Sequence, residues 1–242
     1  MPLGPAFFPN QVLTSGQYNF NPSNNEIMAS AFARIGIHRT EILTDHIHNA
    51  VLELNALFSR MNNSGPNLWT VDLQSIPLVQ GQATYSILAE TIQILDVFIR
   101  VGQGTATPVD RILYPLSRTE YASLSNKMTQ GFPSQFWFDR TISPTITFYL
   151  TPDGNGPYDA FYYRYRQIQD SLIPNGQVAE IPNRWIDAVV AGLAYRMARI
   201  YTPQLEQIRK VDAEEAWQLA ATQDVENTPL NITPGLGGYW RL

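Results

Sequence analysis

The stretch Ile181-Pro182-Asn183-Arg184-Trp185-Ile186-Asp187-Ala188-Val189-Val190-Ala191-Gly192-Leu193-Ala194-Tyr195-Arg196-Met197-Ala198-Arg199-Ile200-Tyr201 decides how the rest of the chain is read. Trp185, Val189, Leu193, Met197 and Ile200 recur at steps of three and four, with Ile186, Val190 and Ala194 beside them. That spacing predicts a helix whose apolar face is broad enough to need partners on more than one side. Pro182 suits the first turn, where its missing N–H costs nothing, and Pro203 stops the helix or begins the next one. Ala188, Ala191, Gly192, Ala194 and Ala198 keep part of the surface thin, so another backbone can approach closely. The segment reads as a central strut around which the other elements pack.

Working outward, a last helix is predicted from about Gln204 to Thr222, with Leu205, Ile208, Val211, Ala216, Leu219 and Ala220 apolar. Lys210, Asp212, Glu214 and Glu215 mark its solvated side. Far upstream, Ser23-Asn24-Asn25-Glu26 is a capping box, in which a hydroxyl and a carboxylate satisfy free N–H groups of a helix start. The helix it opens runs to about Ile35 with Ile27, Ala31 and Phe32 inward, and Gly36 ends it. A second helix from about Thr40 to Met61 carries one stripe: Leu43, Ile47, Ala50, Val51, Leu54, Phe58 and Met61. The short link between these two predicts an antiparallel pair.

Between these outer helices the period changes from helical to two. Trp69, Val71 and Leu73, then Ile76 and Leu78, alternate with other residues. Gln80-Gly81-Gln82 turns this strand towards Thr84-Tyr85-Ser86-Ile87, which predicts a hairpin. Ile92, Ile94, Val97 and Ile99 make another strand, turned by Gly102-Gln103-Gly104 towards Val109 and Ile112. Ser117-Arg118-Thr119-Glu120 is a second capping box opening a short helix. Three strands follow, at Gln135 to Arg140, Thr145 to Leu150 and Ala160 to Arg166. The expected fold class is α+β. Helices from 23–66 and 178–226 form one discontinuous bundle, and an antiparallel β-rich module of about six strands is inserted at 67–177. An extended N-terminal arm (1–22) with Phe7, Phe8, Tyr18 and Phe20, and an extended C-terminal tail (227–242), flank them.

Charged residues make up only 15% of the chain, so the surface must show amides, hydroxyls and apolar patches, as surfaces covered by neighbours do. A net charge of −5 argues against global attraction to nucleic acid. With no cysteine there is no thiol nucleophile, disulfide or thiolate metal site. No basic segment followed by an apolar run marks a signal peptide, and no run is long enough to span a bilayer.

Candidate chemistry is sparse. His46 and His48, two apart on a helix, face different sides, and with His38 they make a poor metal site. No metalloprotease, nucleophile-elbow or phosphate-loop motif occurs. Asp139, Asp153 and Asp159 flank turns and offer carboxylates for glycoside chemistry, whose acid and base are defined only in space. The cluster Phe136, Trp137, Phe138, Phe148, Tyr149, Tyr158, Phe161, Tyr162, Tyr163, Tyr165 has more content. Alternation buries about half, and outward members such as Trp137 or Tyr162, with Arg140, Arg164 and Arg166 nearby, would form an aromatic face for a protein or a glycan.

The Ile181–Ala194 stretch resembles the corresponding helix of the head-to-tail adaptor proteins, also called tail accessory or head-completion proteins, of short-tailed bacteriophages. The resemblance extends to Ser117-Arg118-Thr119-Glu120-Tyr121, Lys127, Gly131-Phe132-Pro133, Phe138-Asp139-Arg140, Pro144, Ile146, Phe148, Tyr149 and Pro152-Asp153. Glu53-Leu54-Asn55 and the run Leu78, Gly81, Tyr85 fit as well, so it spans most of the chain from Asn24 to about Thr222. It implies a structural virion protein without catalytic residues, metal or cofactor, assembled in the host cytoplasm and placed at the portal vertex. Such adaptors form a homo-oligomeric, dodecameric ring that extends the DNA channel and docks tail nozzle or tail fibre proteins. Their C-terminal segment reaches the portal protein, which makes Leu236, Tyr239, Trp240 and Leu242 candidate portal contacts. Phe7, Phe8, Tyr18, Phe20, Trp137, Tyr162 and Arg164 are the candidate subunit or tail contacts. The competing expectation is a tail-associated protein that binds or cleaves glycans with the aromatic and acidic β module.

Overall fold

The computed structural model describes residues 20–65, 67–102, 104–105, 107–171 and 176–224. Among these, five helices surround and flank a large, curled, mostly antiparallel sheet. The helices are α1 (Asn24–Arg34), α2 (Thr44–Asn63), α3 (Arg118–Ser123), α4 (Asn183–Tyr201) and α5 (Glu206–Gln223). The strands are β1 (Val71–Leu78), β2 (Thr84–Ser86), β3 (Thr91–Val101), β4 (Val109–Pro115), β5 (Gln130–Gly131), β6 (Gln135–Asp139), β7 (Thr145–Tyr149), β8 (Thr151–Pro152) and β9 (Tyr158–Arg166). Seven of them form one sheet in the order β1-β9-β3-β4-β6-β7-β2, and β5 pairs β8 separately.

The strut expected from the sequence is α4. Trp185, the run Ala188–Ala194, Met197 and Ala198 are buried, and α1, α2 and α5 all pack on it. Pro182 stands one residue earlier than expected, at the N-cap, and Pro203 opens a 3-10 turn leading into α5. Both capping boxes form as read: Ser23 with Glu26, and Ser117 with Glu120. Gly36, at φ 86°, supplies the left-handed residue that ends α1.

Four expectations are corrected. The second helix begins at Thr44, after a 3-10 turn Arg39–Glu41. The backbone N–H of Leu43 donates to the His46 ring at 3.2 Å and so caps the later start. Next, α1 and α2 touch only lightly, because the wide apolar face of α4 gives each a larger surface than the other can. On α5 the apolar residues divide: Ile208, Val211 and Leu219 are exposed. The rotation of that helix is set by Trp217, whose ring meets Trp185 edge-on at 4.9 Å, and by the buried Ala220. Finally, Ile76–Leu78 and Thr84–Ile87 do not form a hairpin. β1 pairs along its whole length with β9, while β2 pairs with β7. The turn itself exists, with Gly81 at φ 78°, but the Tyr85 hydroxyl bonds both the N–H and the C=O of Val79. That inward side chain sends the two strands to different neighbours. The hairpin from β3 to β4 forms as expected.

Two apolar cores result. One joins α1, α2, α4 and α5 through Phe32, Leu54, Phe58, Trp185, Leu193 and Met197. The other fills the curl of the sheet with Val97, Ile99, Leu113, Phe136, Ile146, Phe148 and Tyr162. Polar side chains tie the two regions together. Asn67 donates to the Tyr165 hydroxyl (3.1 Å), which donates to the Asn62 carbonyl (2.9 Å). Trp69 donates to the Glu180 carbonyl at 3.2 Å, and Arg166 pairs with the Glu180 carboxylate.

The ion network at this junction fixes an acid response. Burial raises the Asp72 carboxyl, but the hydrogen bond and charge of Arg164 outweigh it and the net direction is down. The Glu90 carboxyl is held down by its own backbone N–H and then, against burial, by Arg164. The Arg166 hydrogen bond holds Glu180 down. Carboxyls depressed in the folded state stabilise it above their unfolded values and lose that contribution as pH falls through the folded ones. Stability should therefore be flat from neutral to about pH 5 and fall steadily below it. Denaturant titrations at stepped pH would show this, and a stability that held level down to pH 3 would remove the network from the account.

Candidate functional site

An outward apolar surface lies on the sheet and follows from strand parity. The register places Phe161 between Ser75 and Phe98, and Phe98 beside Ile112. One row along, Tyr163 stands beside Leu73. These residues share the face turned away from the core, because side chains alternate along each strand. Phe98 and Phe161 stack with ring centres 5.4 Å apart and planes 8° from parallel. The Arg100 guanidinium lies 4.7 Å from the Phe161 ring centre, held by two 2.7 Å bonds to Asp110. Around this stack Ile112 (60%), Tyr114 (67%), Leu73 and Tyr163 are exposed to solvent. A second apolar stripe, Ile208, Val211 and Leu219, runs along α5. Phe20 is 71% exposed at the start of the described chain.

Parity overturns part of the expected aromatic face. Tyr162 is 3% exposed, because its register opposite Gln74 and Val97 turns it into the core. Arg164 is likewise 3% exposed. Its Nε and Nη2 donate to Asp72 at 2.7 and 3.1 Å, and its Nη1 donates to Glu90 and Thr91, both at 3.1 Å. Neither side chain is available to a neighbour. Trp137 is half-buried and stacks on Tyr121 at 5.0 Å, with the Lys127 ammonium 5.5 Å from the Tyr121 ring, so it braces α3 against β6. Ile112 and Tyr114, which the sequence reading did not place on a surface, carry the outer face instead, beside the half-buried Phe98. Phe7, Phe8, Tyr18, Leu236, Tyr239, Trp240 and Leu242 lie outside the described residues.

The strand register sets Asp139 and Asp153 apart. Asp139 sits opposite Thr145, where β7 begins, and Asp153 follows the end of that strand. Five residues of strand span about 13 Å, more than the ~5–9.5 Å separating a glycosidase acid from its partner. Both Asp153 oxygens already hold the turn, accepting from the N–H (3.0 Å) and side chain (2.9 Å) of Asn155 and from the Tyr158 hydroxyl (2.9 Å). The Asn155 N–H first, and the Tyr158 hydroxyl next, hold this carboxyl below its ordinary range, the wrong direction for a proton donor at neutral pH. Asp159 faces outward opposite Pro77 and Arg100. His46 packs between Phe32 and Tyr201 at 5.6 and 4.7 Å, as a structural histidine does. No cluster of three metal-ligating side chains occurs among the described residues, and no helix there is long and apolar enough to cross a membrane.

The model of one protein family, described as "SU10 adaptor protein", matches residues 25–232. No curated protein matches the chain.

Proposed function

Since the chain belongs to the SU10 adaptor protein family, we propose that it is a structural subunit of a bacteriophage virion that forms the ring between portal and tail. The observation that carries this reading is a half-buried Phe98–Phe161 stack flanked by exposed Leu73, Ile112, Tyr114 and Tyr163, on a chain with only 15% charged residues. Such a face is normally covered by a neighbour. A ring closes through heterologous contacts, in which one patch of a subunit meets a different patch of the next. The outer sheet face and the stripe on α5 are two such patches on one molecule. The acidic balance suits a DNA conduit, since a basic lumen would grip the phosphates.

In this reading the helices of 23–66 and 178–226 act as one bundle-like body and 67–177 as an inserted module. The ring is dodecameric, lines the DNA channel and docks tail nozzle or fibre proteins. Leu236, Tyr239, Trp240 and Leu242 reach the portal, while Phe7, Phe8, Tyr18 and Phe20 meet a neighbouring subunit. The test is to mix the purified chain with portal rings and image the product. A closed ring of this chain beneath the portal is expected, and a chain that stays free or joins as a single copy overturns the proposal.

Two variants sharpen the test. Removal of 227–242 should abolish joining while the chain stays folded. Ile112→Asp combined with Tyr114→Asp should lower ring yield at least tenfold. Because both sites are exposed, the unfolding free energy should stay within about 0.5 kcal/mol of the parent per substitution. Unchanged ring yield would show that the sheet face is not a subunit contact.

A further inference from the structure

The large sheet ends in β1 on one side and β2 on the other. β2 is only three residues long, and a strand that short blunts an edge. β1 runs eight residues and pairs with β9 without a break in register. Among the described residues no strand pairs with its other side. The usual guards of such an edge are a bulge, a lysine or a free charge. β1 has no bulge and no lysine, and its one charged residue, Asp72, is held by Arg164.

Parity decides which backbone groups face outward. In an antiparallel strand, successive residues turn both backbone groups to alternate sides. Pro77 has no N–H, so it belongs to the set that turns away from β9: Val71, Leu73, Ser75 and Pro77. The Gln167 N–H, which donates to the Glu90 carbonyl at 2.9 Å, agrees. It turns the odd-numbered residues of β9 toward β3 and leaves Ala160, Tyr162 and Arg164 to bond Ile76, Gln74 and Asp72. The Val71 N–H already donates to the Leu68 carbonyl. The open donors of the edge are therefore the N–H groups of Leu73 and Ser75, each beside its own carbonyl.

This pattern is complementary to itself. We propose that the outer edge of β1 pairs antiparallel with β1 of a second copy of this chain, about a two-fold axis at Gln74. Leu73 of each copy then exchanges both backbone bonds with Ser75 of the other. Of the registers that bond both donors, this one sets the positions without a free N–H, Val71 and Pro77, against each other. It also brings Gln74 to its own counterpart on the inner face. The Gln74 Nε2 donates one hydrogen to Asp72 at 3.2 Å and keeps another for the opposite amide. Asp72 lies opposite Ile76, so no like charges oppose. On the outer face Leu73, 44% exposed, lies diagonal to its counterpart and beside Tyr163, which extends the apolar surface across the axis.

An edge contact of this kind falls below the ~1,200 Å² of a standard interface, so the pair should be reversible. A ring closed by heterologous contacts contains no such axis. The pairing therefore belongs to the free chain, does not rest on the ring reading, and would open on entry into a ring.

The test uses the free full-length chain. Sedimentation velocity should show a monomer that gives way to a dimer as concentration rises. Ser75→Pro removes a donor on the open side without touching a bond to β9, and should abolish the dimer. The chain contains no cysteine, so disulfide trapping reads the register. In Gln74→Cys the two thiols face each other across a non-hydrogen-bonded pair, with Cα atoms about 4.5 Å apart. In Ser75→Cys they lie diagonal at about 7–8 Å, past the ~7 Å that a disulfide spans. Ser75 is the more exposed of the two, so random collision would favour it. Gln74→Cys should cross-link between chains at least tenfold faster than Ser75→Cys. Both cysteine variants keep their N–H, so this comparison stands even where the proline variant fails to fold. A chain that stays monomeric at every concentration overturns the proposal. Cross-linking at 75 that equals or exceeds that at 74 overturns it, as does a dimer that a folded Ser75→Pro leaves intact.

Discussion

Trp185→Ala should destabilise the protein by about 3–5 kcal/mol, the largest effect expected of a single truncation. Trp185 is 2% exposed at the first turn of α4 and joins three elements. Its ring centre lies 5.4 Å from that of Trp69, which leads into β1, and 4.9 Å from that of Trp217 on α5. The vacated space borders three separately anchored elements, so collapse around it is incomplete and the cavity cost remains. Trp185→Phe should cost less than about 1.5 kcal/mol. The indole N–H has no hydrogen-bond partner, so the phenyl ring forfeits apolar contact only. Equilibrium denaturation, with the slope checked for constancy, measures both variants. An alanine variant within about 1 kcal/mol of the parent would mean that α5 and the segment before β1 do not hang on α4 in solution.

Arg164→Met should cost about 2–3 kcal/mol, less than the 3–5 of a fully buried broken pair. The guanidinium is buried in the sheet, but the carboxylates it leaves, Asp72 and Glu90, keep 34% and 45% of their side chains in water, which softens their loss. The coupling is specific: Asp72→Asn should cost less in the methionine background, where only its 3.7 Å contact with Arg166 and its bond from Gln74 remain to be lost, than in the parent. A double-mutant cycle reads that coupling directly, and additive costs would show that the pair is decorative. The acid-sensitive part of the stability curve should also become shallower in Arg164→Met, because Asp72 loses its main hydrogen-bonded cation and Glu90 keeps only its own backbone N–H.

Local chemistry was legible wherever the information was local. Ser23 and Glu26, or Ser117 and Glu120, carry their caps within four residues, and no distant contact was needed to find them. The periodicity of α4 gave its boundaries and its many-sided burial, because a helical repeat is a property of one segment. The β3 to β4 hairpin was legible for the same reason. By contrast, the partner of β1 is some ninety residues away in β9, and nothing near Gln80-Gly81-Gln82 announces it. Two candidate site residues failed on that register. A strand of alternating aromatics such as Tyr158–Arg166 has two possible parities, and only pairing with β1 and β3 turned Tyr162 and Arg164 inward and Phe161 and Tyr163 outward.

The sequence alone determined the mixed helix-and-strand class, the strut, the caps and the likeness to adaptor proteins that the family match bears out. Each of these is set by residues a turn or a few apart, or by a linear pattern of residues. Tertiary structure decided which aromatic residues reach solvent, how α5 is rotated on Trp185, and that β1 stands at an outer edge of the sheet. Those features depend on which distant surfaces bury most against one another, a competition that no single stretch of chain contains.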